Sequence, residues 1–429
     1  MVRMVDPQEG EVICDPASGS GGFLIRFFEI VREKILSDVD RQYQEFRREI
    51  EGKKRGSEEK RAEALRAKYE ELQRTLDKDA AGSRLWKLAN RCIYGTDAND
   101  RMARTSKMNM IMHGDGHGGV HYHDGFLNVN GIFEGRFNII LTNPPFGSNV
   151  EPSDTILEEQ VEIPEEIERR YAEIYGVKYR EALARVRAAK GKPIASLFSL
   201  PKVKGDSTLG KIKTEILFIE RCLDLLMPGG RLGIVLPEGV FNNPSLTYVR
   251  EFCEDRAFVR AVVSLPPVTF ISSGASVKAS LLFMQKFTSK EQADFDGRKT
   301  QADKEIRNKY APEIAKRTQE LEIAIAQAKK EQDTERRKAL QAELKQSQHD
   351  AEEKIQAEAR ALLKSRFPYP IFLYEAEHVG ITATGETDRV PNELVPGDNK
   401  PTGIDKTAVE LYREFRADPK PFLAAEAPA

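Results

Sequence analysis

Glu11-Val12-Ile13-Cys14-Asp15-Pro16-Ala17-Ser18-Gly19-Ser20-Gly21-Gly22-Phe23-Leu24 is the stretch that decides the fold. A short apolar run ends in a glycine turn, and a helical pattern follows through Phe28, Val31, Ile35 and Val39. Strand, glycine loop and helix in that order open a nucleotide-cradling α/β unit, in which the ligand lies outside the strand ends. Gly19 and Gly21 let a ligand come close to the backbone, because neither has a Cβ in the way. Working outward, apolar runs of strand length recur near 11–15, 91–96, 119–123, 137–142, 230–236, 258–264 and 277–287, with helical patterns between them. The expected fold is therefore α/β: a doubly wound, mostly parallel seven-stranded sheet of Rossmann-like type. The last two runs are joined only through Pro266-Pro267 and Ser272-Ser273-Gly274, which predicts an antiparallel pair at the sheet edge.

The composition sets limits on partners. A chain of 429 residues with 40 % hydrophobic content can bury a sizeable core. Its 66 basic and 68 acidic residues leave a net charge of −2, so no global basic field holds a nucleic acid by phosphate contacts alone. Cys14, Cys92, Cys222 and Cys253 have no CxxC spacing and read as reduced thiols of a cytoplasmic protein. No signal peptide or membrane span is legible.

Two stretches are too charged for crossover helices. A helical hairpin insertion is expected over 31–82: Gly52 to Gly56 breaks the first pattern, and Ser57 can cap a second helix carrying Leu65, Tyr69, Leu72 and Leu76. From Arg298 to Phe367 there is no glycine and one proline, Pro312, and the apolar stripe is thin, which suits a charged helical or coiled-coil arm over 289–367. A solvated helix packed lightly on its own domain fits equally well. Residues 147–213 read as a loop and helix insertion, a lid or substrate-facing element. The resulting division is a catalytic domain over 1–288, the arm over 289–367 and a C-terminal segment over 368–429.

Chemistry concentrates at strand ends. Asp15 would repel a pyrophosphate, so the first loop suits a cationic ligand, and S-adenosylmethionine carries both an ammonium and a sulfonium. Asp97, closing Tyr94-Gly95-Thr96-Asp97, can accept ribose hydroxyls, or it or Asn99 can cap the next helix. Asp124, in His123-Asp124-Gly125-Phe126, can accept an adenine amine, with Asp115 as competitor. Four of the six histidines fall between 113 and 123, but glycines dominate their spacing, and a turn rather than a metal site is expected.

After the run Phe137 to Thr142 come Asn143-Pro144-Pro145-Phe146. Pro144 restricts Asn143 to extended geometry, and two prolines stiffen the turn. A fixed carboxamide and a neighbouring carbonyl can accept both N–H groups of an exocyclic base amine, with Phe146 stacked on the base. A plain proline turn with a buried Phe would look the same.

Taken in order, Asp15–Leu24, Tyr94–Asp97, His123–Phe126, Asn143–Phe146, Lys213–Glu215, Pro228–Phe241, Val263–Pro266 and Ser276–Phe283 resemble the modification subunit of type I restriction–modification systems. That family comprises adenine-N6 DNA methyltransferases. The resemblance implies that Asp15, Pro16, Ala17, Gly19, Gly21 and Phe23 form the first motif for S-adenosylmethionine, that Asp97 takes the ribose and that Asp124 takes the adenine. Asn143, Pro144, Pro145 and Phe146 hold the target base, and no metal is implied. The implied partners are DNA, a specificity subunit that reads the sequence and a restriction subunit. In the family a helical domain and a Thr-Pro-Arg segment that closes over the cofactor precede the first motif. Here Met1 stands about one helix before Asp15, which implies an N-terminally truncated member, either a fragment of a longer chain or one whose helical domain is a separate chain. Two other functions use similar parts: methylation of an RNA base or a protein glutamine amide, where Tyr usually replaces Phe146, and a non-catalytic scaffold whose arms are its interaction surface.

Overall fold

The computed structural model describes residues 1–52, 57–114, 119–202, 210–273, 277–386, 392–396 and 406–423. The chain divides into two compact units, one of Met1–Lys286 with Ile371–Ala429 and one of Phe287–Pro370. Among the described residues no helix is long and apolar enough to cross a membrane.

The first unit is built on β1 (Ile13–Asp15), β2 (Ile93–Asp97), β3 (Val120–Tyr122) and β4 (Phe137–Thr142). A two-stranded ribbon, β5 (Asn149–Val150) with β6 (Ile212–Lys213), follows, and then β7 (Leu226–Pro237), β8 (Ala257–Ser264), β9 (Ala279–Lys286) and β10 (Phe372–Glu375). The main sheet runs β10-β8-β9-β7-β4-β1-β2-β3. Only β9 is antiparallel to its neighbours, β7 and β8. All seven expected strands are present, and β10 adds an eighth by pairing in parallel with β8. This corrects the expected edge: the antiparallel β8–β9 pair lies inside the sheet, because the distant C-terminal chain covers β8.

Alternation along the strands explains why both faces are buried. Ile13, Ile139, Leu141 and Val235 point into one apolar cluster, while Cys14, Ile140, Ile234 and Leu236 point into the other. Successive side chains take opposite faces, so continuous apolar runs belong to a sheet covered on both sides.

Helices α1 (Val2–Val5), α2 (Gly22–Gly52), α3 (Glu58–Thr75), α4 (Arg84–Arg91) and α5 (Asp100–Met112) flank the first strands. On α2, Leu24, Phe27, Phe28, Val31, Ile35 and Val39 are buried, and beyond Val39 no residue of the helix is. The outer half of α2 pairs with α3 through Tyr43 and Tyr69, 5.7 Å apart edge to face, and the Ser57 hydroxyl caps α3 by accepting the Lys60 N–H. Further on come α6 (Glu158–Val161), α7 (Glu165–Ala188), α8 (Thr214–Leu225), α9 (Gly239–Asn242) and α10 (Thr247–Glu254). The 147–213 insertion is less lid-like than its polarity suggests. Tyr179, Ala182, Leu183 and Val186 of α7 are buried in the sheet cluster, which makes this helix part of the core. The C-terminal chain, set apart in the sequence, returns to the same unit: α13 (Ala408–Ala417) buries Val409, Tyr412 and Phe415 in the cluster that holds Ile13.

The second unit is a helical hairpin of α11 (Ser289–Lys330) and α12 (Thr334–Arg366). Thr288 and Glu291 form a capping box at its start. Arg307–Glu352, Lys309–Glu358 and Arg317–Glu343 ion pairs set an antiparallel register. Its apolar seam is narrow, centred on Ile306, Ile355 and Ala359 with Tyr310, Ile314 and Leu362 beside them.

Candidate active site

β1, β2 and β3 lie side by side in parallel, and β4 pairs with β1 on the other flank. The chain runs outward through β2 and β3 and then crosses back to β4, so strand order reverses between β1 and β4. In open α/β sheets that switch point is where ligands bind, outside the carboxyl ends of the strands. The loops after β1 and β4 both leave from it.

The first loop is fixed by local bonds. The Ala17 N–H donates to Asp15 Oδ1 at 3.0 Å, the Ser18 N–H to the Thr96 carbonyl at 2.9 Å, and the Gly19 N–H to Asp97 Oδ2 at 2.9 Å. Gly21 has φ +86°, and a Cβ there would stand 2.5 Å from Ser106 Oγ, so glycine is required on both counts. Beside Gly19 a Cβ would meet nothing within 4 Å, which leaves open space over the loop. Asp15 is only 1 % exposed. Burial pushes its carboxyl up to about 7, against the Thr142 hydroxyl and the Ala17 N–H and with the charge of Asp97. A buried carboxylate raised in this way gains from a cation placed beside it.

Asp97 ends β2 with both oxygens engaged, one by Gly19 and the other by the Asn99 N–H at 2.8 Å. The cap of α5 is Asn99, whose carboxamide accepts the Met102 N–H. Asp124 follows β3 and accepts the Phe126 N–H at 2.9 Å, and burial raises its carboxyl above the usual range. Its loop is pressed against the first one, since a Cβ on Gly125 would stand 2.1 Å from the Pro16 carbonyl oxygen. Arg221 of α8, wholly buried, clamps this loop by donating to the carbonyls of Gly125 and Leu127 and to Asn128 Oδ1. The competitor Asp115 and His117 lie outside the described residues. His121 and His123 sit on β3 and just after it rather than in a turn. Burial drives the His121 imidazole down to about 4, which keeps it neutral.

The loop after β4 is more open. Asn143 and Pro145 are exposed, Pro144 is buried and Phe146 is half-buried. Phe270 meets Phe146 edge to face at 6.4 Å and 87°. Beyond it the chain is tied to the β5–β6 ribbon: Lys213 Nζ donates to the Gly147 carbonyl at 3.0 Å, and the Thr214 N–H to the Ser148 carbonyl at 3.1 Å.

Between the loops lies a cavity of about 540 Å³. It is lined by Asp15, Ala17, Ser18, Gly19, Ser20, Gly22 and Phe23 of the first loop, by Asn143 of the second, and by Met1, Val2, Arg3, Arg26 and Val395. That volume suits one small molecule. Of the residues picked from the sequence, Asp15, Ala17, Gly19, Phe23 and Asn143 share this lining. Pro16, Gly21, Asp97, Asp124, Pro144, Pro145 and Phe146 do not, and stand in the loops around it. Arg3, Arg26, Phe270 and Val395 escaped the sequence reading. Val395 arrives from the far end of the chain, held by its neighbour Glu393, which accepts the Tyr374 hydroxyl and the Glu377 and His378 N–H groups.

Residues 1–177 match the family model described as RMKL-like, methyltransferase domain, and residues 200–363 match that of the N-6 DNA methylases. The EcoKI methylase subunit, from a type I restriction enzyme of Escherichia coli strain K12, is 23 % identical over 295 residues, 67 % of this chain and 38 % of that one. The StySPI methylase subunit of Salmonella potsdam is 24 % identical over 295 residues, with the same shares covered. The chain thus spans less than half the length of these relatives. A solved structure of the EcoKI M protein superposes with a TM-score of 0.40 at 19 % identity, over 68 % of this chain and 43 % of that one. Over about two thirds of its length, then, the chain is similar to the methylase subunits of type I restriction enzymes, and residues 200–363 match the N-6 DNA methylase model.

Proposed function

We propose that the chain is a site-specific adenine-N6 DNA methyltransferase subunit of a type I restriction–modification system. The observation that carries the proposal is that Asn143 and the Asp15 loop face one cavity at the switch point of the sheet. The residues present fit S-adenosylmethionine: Asp15 offers a buried carboxylate to a cation, open space lies over Gly19, and the buried Ser18 hydroxyl has no partner among the described residues. Asp97 would take the ribose and Asp124 the adenine amine, with Pro16, Ala17, Gly21 and Phe23 shaping the loop. When bound, that cofactor supplies an electrophilic methyl group.

The chain's own part is binding and positioning. Asn143 and a neighbouring carbonyl accept the two N–H groups of the target amine, which turns the nitrogen lone pair out of conjugation with the ring. The same acceptors stabilise the positive charge that develops on nitrogen, an electrostatic effect already in place before reaction. Pro144 and Pro145 hold them rigid, and Phe146 stacks on an adenine turned out of the duplex. A net charge of −2 gives little phosphate affinity, so a separate specificity subunit supplies sequence recognition and most of the DNA contact. A restriction subunit completes the assembly. Catalysis is assigned to 1–288 and partner contact to the arm over 289–367, with 368–429 returning to the sheet. The buried free cysteines suit a reducing cytoplasm.

The test is labelled-methyl transfer by the chain with its specificity subunit, offered DNA, RNA and a glutamine-containing peptide in parallel. Label on DNA adenine N6 alone is expected. Label on RNA or the peptide, or no cofactor binding at all, overturns the proposal.

A further inference from the structure

The cavity has an unbalanced lining. Among the described residues of the lining, one carboxylate, Asp15, is accompanied by two guanidinium groups, Arg3 on α1 and Arg26 on α2. Arg26 pairs with Glu29 at 2.8 Å, but both side chains are more than a third exposed, and such a pair holds its arginine weakly. Arg3 has no carboxylate within ion-pair distance among the described residues. Two cations facing a site that also suits a cationic ligand are unfavourable unless the ligand has an anionic end as well. Two further features of the same wall point the same way. Ser18 lines the cavity, and its buried hydroxyl has no hydrogen-bond partner among the described residues. Gly22 and Phe23, also in the lining, open the 31-residue helix α2, whose first amides have no partner within the helix and favour negative charge.

We infer that Arg3 and Arg26, with the Ser18 hydroxyl and the first amides of α2, form the seat for the α-carboxylate of the cofactor's methionyl end. This rests on the S-adenosylmethionine reading above. An amino-acid zwitterion is then oriented by charge at both ends: its ammonium goes to Asp15 and its carboxylate to the guanidinium wall. Neither arginine takes part in the chemistry. They hold the ligand so that its reactive end faces Asn143.

The test compares two probes on the full chain by calorimetry. S-adenosylhomocysteine keeps the amino-acid end, and 5′-methylthioadenosine lacks it. Arg3→Gln and Arg26→Gln are each expected to weaken S-adenosylhomocysteine about tenfold or more, the loss typical of a hydrogen bond to a charged group, and to leave 5′-methylthioadenosine within about twofold. Lysine at either position is expected to restore part of the loss, and the loss shrinks with added salt. Retained 5′-methylthioadenosine binding shows that each variant is folded. Equal weakening of both probes, or of neither, overturns the seat while leaving the cofactor reading in place. Failure of the unaltered chain to bind either probe overturns the cofactor reading, and the seat with it.

Discussion

The loops after β1 and β4 leave neighbouring parallel strands and differ in almost every physical respect. Asp15 is buried, its loop is cross-tied to Thr96 and Asp97, and its carboxyl is driven up to about 7. Asn143 is exposed, and its loop is stiffened by proline rather than by a hydrogen-bond network. A buried, cross-tied loop suits a small ligand that the protein encloses. An exposed rigid loop suits a group delivered from outside on a large molecule, which covers the site as it docks. The contrast predicts that damage to the two loops separates into binding of the small ligand and transfer to the large one.

The largest effect is expected at the open loop. Asn143→Ala removes an acceptor that matters most when charge develops on the target nitrogen, and should lower the methyl-transfer rate roughly 10²- to 10³-fold. S-adenosylmethionine affinity should stay within about threefold. If affinity falls as far as the rate, the two loops are not separate in function.

At the enclosed loop the prediction is reversed. Asp15→Asn removes the carboxylate that faces the cation and should weaken S-adenosylmethionine by roughly 10- to 100-fold. It should also raise the melting temperature of the unliganded chain at pH 8, because the folded protein no longer buries an ionised acid. A variant that loses affinity and stability together would show Asp15 to be a structural residue only.

The same group gives a pH dependence whose sign follows from its raised value. The folded carboxyl holds its proton up to about 7, above the ordinary value of 3.8, so its stabilising contribution is complete below about 4 and is lost as pH rises through about 7. A cationic ligand prefers the ionised form, so binding below pH 7 must expel a proton. Affinity should therefore fall by up to about tenfold per pH unit below 7 and level off above it. Isothermal calorimetry in buffers of different ionisation enthalpy should find close to one proton released at pH 6. A flat profile would mean that the cation sits elsewhere.

How much of this was legible beforehand follows the distance between partners in the chain. The strands of the sheet announce themselves because each apolar run is local, and so does the glycine turn that needs φ +86° at Gly21. β10 does not: Phe372 to Glu375 is four residues behind prolines, with Leu373 at 73 % exposure, and it becomes a strand only because β8, more than a hundred residues earlier, has a free edge to offer. The site divides in the same way. Asp15 and Asn143 stand in motifs, and a reader of sequence can pick them. Arg3, Phe270 and Val395 reach the site by packing that no local pattern encodes, and Arg26 looks like any charged residue on a helix. The 147–213 stretch misleads for the opposite reason, since a mostly charged helix such as α7 can still bury one stripe.

The smallest expected effect lies where the open loop meets the core. Phe146 is half-buried, and its one aromatic neighbour among the described residues is Phe270, edge to face at 6.4 Å. An edge-to-face pair contributes about 0.5–1.5 kcal/mol beyond the area it buries. Phe270 therefore helps to set the tilt of the Phe146 ring. Phe270→Leu keeps the apolar volume and loses the ring edge, so KM for DNA should rise about two- to tenfold with little change in kcat and none in S-adenosylmethionine affinity. Phe146→Leu should cost more in the same parameter, because it removes the stacking face itself, which contributes about 1–3 kcal/mol per base. The double variant should then cost no more than Phe146→Leu alone, since Phe270 has nothing left to orient. If the two losses add in full, Phe270 meets the DNA directly, and the open loop is wider than Asn143 to Phe146.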